Sequence, residues 1–293
     1  MTERALPFDP DAMRVTLQAS GQPWSHAAAR AEVDSTQTWL RQWLADDPPR
    51  DFGWRLALAR HQTAGRGRNG APWWAAPGTA LLMSMGGPVS MAPERWAHLS
   101  LVAGLAVRDT LQRRTDTPIW LKWPNDLVTL DAGRPRKLAG LLGERVGGPC
   151  ADPLWLCGIG VNVTSAPPPQ GLAMPATSLA ELGAQELDIA HLAVDCAIAV
   201  RAEVDAFVRR GGTLDVVRLE RHLAFVGRAV SVDLGAREGQ RWLRLDGLDP
   251  SGELRGRWLA ADGTALDFAS VSPLCIAAVA PEAVPLAPEE SHG

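Results

Sequence analysis

The stretch His61-Gln62-Thr63-Ala64-Gly65-Arg66-Gly67-Arg68-Asn69-Gly70-Ala71-Pro72-Trp73 concentrates groups that grip anions. Arg66 and Arg68 offer forked donors suited to a phosphate or a carboxylate. Gly65, Gly67 and Gly70 let the backbone approach a ligand closely, and Trp73 and Trp74 supply a stacking face. GxxxxGK[ST] is absent, and the GxGxxG spelling is not followed by a helical pattern, so neither a P-loop nor a dinucleotide fingerprint is present. Two readings stand: a solvated basic turn, or a loop that closes over a phosphate-bearing ligand.

A second group lies downstream. Ile119–Trp123 reads as a strand, with Trp120 and Lys122 on one face. Lys122 is either an edge gatekeeper or a buried cation with a chemical task. Pro124-Asn125-Asp126 ends that strand in a polar cluster, where Asp126 is able to position a metal–nucleotide or a lysine. Lys137 opens a return strand, just before Leu138-Ala139-Gly140. In Leu154–Val163, the residues Leu154, Leu156, Gly158, Gly160 and Asn162 share one face. That face is nearly bare, which suits either tight packing beneath a helix or a slot for a compact ligand.

These residues need a scaffold, and the composition supplies one. The chain has 293 residues, 46% hydrophobic and 21% charged. That is one large globular domain, or a large and a small one. The net charge of −4 gives no overall basic field. No apolar run is long enough to span a bilayer. The four cysteines (Cys150, Cys157, Cys196, Cys275) form no CxxC and the six histidines no HxxxH, so no metal site is expected and a cytoplasmic location is.

Asp34 or Ser35 is placed to cap a helix over Thr36–Ala45. Strands are expected at 54–60 and 77–85, a core helix over Pro93–Arg114, and a hairpin from Leu127–Leu130 to Lys137–Val146. A long helix over Ile189–Arg210 closes on Gly211-Gly212. After residue 224, short strands separated by Asp-Pro-Ser-Gly (249–252) and Ala-Asp-Gly (261–263) suggest a small β-barrel. The expected division is an N-terminal extension (1–25), a main α+β domain (26–223), the barrel (224–279) and a frayed tail (280–293).

The motifs EVDSTQ (32–37), GRGRNG (65–70), KWPNDL (122–127), KLAGLL (137–142) and GIGVNV (158–163) follow one another in the order found in biotin–protein ligases. PATSL (175–179) and GLDPSGEL (247–254) are similar to that family's later landmarks. The resemblance covers about residues 30–275. It implies a mixed sheet flanked by helices, of the class II synthetase type, with a C-terminal SH3-like barrel. It implies activation of biotin with ATP to biotinyl-5′-adenylate, then transfer to a lysine of a biotin carboxyl carrier protein, with Mg²⁺ arriving on the nucleotide.

By the same resemblance, Ser35, Thr36 and Gln37 contact the ureido ring, and Gln62, Arg66, Gly67 and Arg68 belong to a loop ordering over biotin and the adenylate. Lys137 holds the carboxylate and the α-phosphate. Arg66, Arg68, Trp73, Lys122, Asn125 and Asn162 serve the nucleotide, and Lys137, Arg68, Lys122 and Asp126 form the catalytic set. Gln37 departs from the family's usual Asn, and Asn69 and Ala71 from residues often basic there. The expected form is a monomer or homodimer, off the membrane.

A lipoate-type ligase shares the fold but not the pairing of GRGRxG with KWPND. A non-enzymatic biotin-binding or sensing protein would be expected to lack Lys137 or the loop arginines, and all are present. A repressor form needs a helix-turn-helix, and residues 1–25 hold too little for one. The chain is therefore expected to show no sequence-specific DNA binding. A biotin-dependent operator shift at physiological salt in an electrophoretic assay would contradict this.

Overall fold

The computed structural model describes residues 10–22, 24–47, 53–147, 153–172, 174–185, 187–272 and 275–279. Two compact units divide the chain: residues 1–120 with 125–212, and residues 121–124 with 213–293. The expected tail at 280–293 lies outside the described residues.

The first unit opens with α1 (Pro10–Ala19) and β1 (Trp24–Val33), neither of which the residue pattern announced. β1 reads Trp-Ser-His-Ala-Ala-Ala-Arg-Ala-Glu-Val, rich in alanine, a helix former, and without apolar alternation. It is a strand because β2 (Trp54–Gln62) pairs with it in parallel, from Ala27 opposite Leu56 to Val33 opposite Gln62. A parallel pair needs a crossover, and α2 (Thr36–Asp46) supplies it. Ser35 caps α2, its side chain accepting from the Gln37 N–H.

Then come β3 (Ala80–Pro88), α3 (Leu99–Gln112), β4 (Trp120–Lys122), β5 (Asp126–Asp131), β6 (Arg134–Val146), β7 (Leu154–Asn162) and α4 (Ile189–Arg209). The expected helix over Pro93–Arg114 starts as a 3₁₀ turn, Pro93–His98, before α3 begins. The sheet order is β1-β2-β3-β7-β6-β5-β4. β2–β3, β3–β7, β7–β6 and β6–β5 are antiparallel, so the sheet is mixed as expected. β2 and β3 are buried along nearly their whole length, the mark of strands covered on both faces. Asp188 caps α4 by accepting from the Ala190 and His191 N–H groups, and Gly211 and Gly212 turn the chain away from it at φ 65° and 73°.

In the second unit, α5 (Val216–Glu220) precedes β8 (Ala229–Asp233), β9 (Gln240–Leu248), β10 (Leu254–Leu259), β11 (Ala265–Val271) and β12 (Cys275–Val279). These form an antiparallel sheet in the order β11-β10-β9-β8-β12, which agrees with an SH3-like domain. No pairing closes it into a barrel among the described residues. Residues 121–124 join this unit because the Leu121 N–H donates to His222 O (2.7 Å) and the Ala224 N–H to Leu121 O (2.8 Å). The Trp123 indole N–H also donates to Gly252 O (3.1 Å).

Asp249 organises the turn between β9 and β10. One carboxylate oxygen accepts from the Ser251 N–H (2.7 Å), the Ser251 hydroxyl (2.6 Å) and the Glu253 N–H (3.1 Å), and the other from the Ser270 hydroxyl. Partial burial works to raise its pKa, but the hydrogen bonds from Ser251 and Ser270 outweigh it and hold the carboxyl below its ordinary value. A depressed native pKa stabilises the fold above the unfolded value and ceases to as pH falls through the folded one. Asp249→Ala should therefore cost about 1 kcal/mol at neutral pH, the scale of a lost turn cap. The deficit should shrink as pH is taken below the ordinary aspartate value of 3.8. Chemical denaturation of both proteins across that range checks this, and a deficit constant with pH would contradict it.

Candidate functional site

The site grows from a strip of sheet that carries no side chains. Gly140 on β6 stands opposite Gly160 on β7, and Leu142 opposite Gly158. A Cβ added at Gly160 would fall 2.5 Å from the Trp73 indole, and one at Gly140 would fall 3.2 Å from it. A Cβ at Gly158 would come 3.0 Å from Gln37 Oε1. The bare face read from the sequence is therefore real, with Trp73 lying on one part of it and the Gln37 amide on another. The Trp73 Nε1 is buried there without a hydrogen-bond partner.

At the rim, Lys137 pairs with Asp126 at 2.7 Å. Both lie on the β5–β6 hairpin, where the register puts Asp126 opposite Gly140 and Val128 opposite Lys137, with an irregularity between Leu127 and Val128. Lys137 Nζ also stands 5.6 Å from the Trp73 ring centroid, within cation–π range. Its backbone is clamped by the PATSL segment: the Lys137 N–H donates to Pro175 O (2.7 Å), and the Thr177 N–H to Lys137 O (2.9 Å). Asn162 reinforces this, its Nδ2 donating to Thr177 O (2.9 Å) and Lys137 O (3.3 Å).

The Gly-Arg loop is a closed hairpin. The Gly67 N–H donates to Ala71 O (2.7 Å), the Ala71 N–H to Arg68 O (3.0 Å), and the Trp73 N–H to Gly65 O (2.9 Å). At its tip Asn69 and Gly70 have φ 54° and 74°. Asn tolerates that left-handed conformation better than most residues, which suits it to this position. Arg68 Nη1 reaches Asn125 Oδ1 at 3.5 Å. Asn125 is itself fixed to β6, its Nδ2 donating to Leu141 O (2.7 Å).

On the other side of the strip the hydroxyls and amides form a chain. The Thr36 N–H and hydroxyl donate to Gln62 Oε1 (2.7 and 3.0 Å), and Thr36 Oγ1 lies 2.8 Å from Ser84 Oγ. A cleft of about 130 Å³ opens among Ser35, Gln37, Arg41, Arg66, Leu142 and Glu144. A larger recess of about 290 Å³ lies at the far end of α2 among Leu44, Val146, Leu154 and Leu156. Apart from Arg41, which lines both, its walls are apolar, so the smaller cleft with its hydroxyl and amide groups is the candidate.

The structure thus gathers Ser35, Thr36, Gln37, Gln62, Arg66, Arg68, Trp73, Asn125, Asp126, Lys137 and Asn162 in one unit. Lys122 is buried on β4, in the segment that belongs to the second unit. Ser84 and Glu144 were missed. Ser84 was detectable as the lone hydroxyl in the apolar run Leu81-Leu82-Met83-Ser84-Met85. Glu144 has no local signal. Among the described residues, no three His, Cys, Asp or Glu side chains gather as a metal site. Burial pushes the Cys157 thiol up and Cys196 to about 12, so neither is poised as a nucleophile. No helix among the described residues is long and apolar enough to cross a membrane.

The biotin/lipoate A/B protein ligase family model matches residues 31–162, from late β1 to the last residue of β7. The chain is 37% identical over 181 residues to a biotin–[acetyl-CoA-carboxylase] ligase of Mycobacterium tuberculosis, covering 60% of this chain and 63% of that one. It is 28% identical over 228 residues to the bifunctional ligase/repressor BirA of Salmonella typhimurium, covering 78% and 68%. The biotin protein ligase from Aquifex aeolicus in complex with biotin and ATP superposes with a TM-score of 0.63 at 25% identity, covering 85% of this chain and 100% of that one.

The matched segment contains the whole glycine strip and the loop whose Trp73 covers it. Gly160→Ala should push the indole off β7, because the new carbon has no room. Amide hydrogen exchange of residues 63–73 should then rise several-fold while β2 and β3 stay protected. Unchanged protection of the loop would mean that Trp73 does not hold it down.

Proposed function

We propose that the chain is an ATP-dependent biotin–protein ligase. It activates biotin as biotinyl-5′-adenylate and transfers it to a lysine of a biotin carboxyl carrier protein, that of acetyl-CoA carboxylase. The observation that carries this reading is Lys137, held by Asp126 at 2.7 Å on the rim of a side-chain-free strip. The cleft beside the strip suits a compact head group, and the Ser35–Thr36–Gln37 turn with Gln62 suits its polar edge. The Aquifex aeolicus structure in complex with biotin and ATP supports the same substrates.

In the first step the biotin carboxylate oxygen bonds to the α-phosphorus of ATP, the bond from that phosphorus to the bridging oxygen breaks, and pyrophosphate leaves. Two anions must meet. Lys137 holds the carboxylate against the α-phosphate and stabilises the charge that builds there, and Asp126 keeps its ammonium aimed. Arg66 and Arg68 bring further cation from the loop, and Trp73 shields the strip. Lys122, Asn125 and Asn162 are assigned to the nucleotide side, Asn162 chiefly through its hold on the Lys137 backbone. Mg²⁺ would come with ATP on phosphate and water ligands and offset phosphate charge.

In the second step the carrier lysine amine attacks the acyl carbon, AMP leaves, and the amine loses a proton as the amide forms. The loop excludes water from the mixed anhydride meanwhile. We assign the enzyme to the cytoplasm, a compartment with ATP and a reducing poise that suits the free thiols of Cys157 and Cys196.

The reading requires biotin-dependent exchange of pyrophosphate into ATP, and biotin transfer to a carrier. Purified protein that supports neither with Mg²⁺, or that prefers lipoate, would overturn it. Lys137→Ala should lower exchange about 10²-fold or more while the fold persists. Arg68→Gly should release more adenylate to solvent, read as biotinylation of bystander amines. The loop amides of residues 63–73 should gain protection when biotin and ATP are added, and equal protection in both states would rule out closure.

A further inference from the structure

The carboxamide of Gln37 has two ends of nearly equal size, and only its hydrogen bonds decide which faces where. Here Nε2 is directed at two groups of β6, Leu142 O at 3.3 Å and Glu144 Oε2 at 3.1 Å. A carbonyl and an ionised carboxylate are acceptors only, so the amide nitrogen must face them. Oε1 is thereby turned the other way. It is buried without a hydrogen-bond partner, above the bare backbone of Gly158. Ser84 Oγ lies 3.5 Å from the same open point over Gly158, next to the Thr36–Gln62 hydroxyl chain.

Glu144 is itself held. Arg41 forms an ion pair with it, and Arg41 follows Gln37 by four residues on the same face of α2. The helix thus presents an amide and a guanidinium to one carboxylate across the gap to β6. An orphaned buried carbonyl is costly, and an arriving N–H removes the cost, whereas an apolar or acceptor-only head group does not.

We infer that Glu144, anchored by Arg41, is a positioning and specificity residue: it fixes the orientation of the Gln37 amide, so that the cleft demands an N–H donor from the head of its substrate. This rests on the ligase reading above and narrows it. The ureido ring of biotin carries such donors, and the dithiolane of lipoate carries none. Glu144 acts through Gln37 and touches no reacting atom.

The test is a double-mutant cycle on biotin-dependent pyrophosphate exchange in the full chain, with E144Q, Q37L and the pair. E144Q keeps the shape but replaces the acceptor-only carboxylate with an amide able to donate to Oε1, leaving only Leu142 O to hold the Gln37 amide nitrogen toward β6. Its KM for biotin should rise about tenfold, the scale of one lost hydrogen bond. kcat and the KM for ATP should change little, and E144D should recover part of the loss. In the Q37L background the E144Q penalty should vanish. The Arg41–Glu144 pair is partly exposed, so thermal unfolding of E144Q should match wild type closely.

A wild-type KM for biotin in E144Q overturns the inference and leaves the ligase reading intact. So does a penalty that survives undiminished in Q37L, or one that falls equally on ATP. A wild type that neither exchanges pyrophosphate nor binds biotin by calorimetry overturns both.

Discussion

Gly140, Gly158 and Gly160 remove the side chains from the middle of a β6–β7 pair, and the rest of the first unit is arranged around that gap. A bare patch in a sheet forfeits apolar contact unless something flat covers it. Here the cover is supplied from two directions: the Trp73 indole from the loop after β2, and the Gln37 amide from the first turn of α2. Neither is an apolar filler. Each places a buried nitrogen or oxygen without a partner over the strip. Two such atoms facing the same bare backbone are what an incoming polar ligand could satisfy.

The polar groups of the site are held by backbone as well as by one another. Lys137 is gripped along its main chain by Pro175 and Thr177 and braced by Asn162, so its ammonium is free to answer to Asp126 and to the space above the strip. Asn125 is likewise tied to Leu141 and serves as the point that Arg68 reaches. PATSL, without an ionisable side chain of its own, thus contributes to the site through its backbone. The loop's hairpin bonds keep its shape, while Trp73 packing, the Arg68–Asn125 contact and the Thr63 N–H to Val33 O bond fasten it to the sheet.

Several elements were legible because local chemistry dictates them. The Ser35 cap, the long α4 with its Asp188 cap and Gly211-Gly212 exit, and the β5–β6 hairpin all form where caps, periodicity and turn residues put them. The glycine face of β7 was legible for the same reason, since strand alternation is a property of the chain itself. β1 was not. Its alanine-rich run has no strand pattern, and only the edge of β2 makes it extended. The break of the Pro93–Arg114 pattern into a 3₁₀ turn and α3 was equally hidden.

The order of the motifs by itself determined which residues could do chemistry, because residue type and spacing suffice to say what a side chain is able to bind. Only the tertiary structure decided which of them meet. Lys137 pairs with Asp126 through a hairpin register, and Asn162 turns out to brace a backbone. Glu144 enters the site from a strand whose local sequence is silent about it, and Ser84 from one that marks it only as a lone hydroxyl among apolar residues. The physical reason is that orientation at the site is set by hydrogen bonds between residues as much as 107 positions apart, as from Gln37 to Glu144. No local preference encodes such a contact. It exists once α2, β6 and β7 have packed around the bare strip.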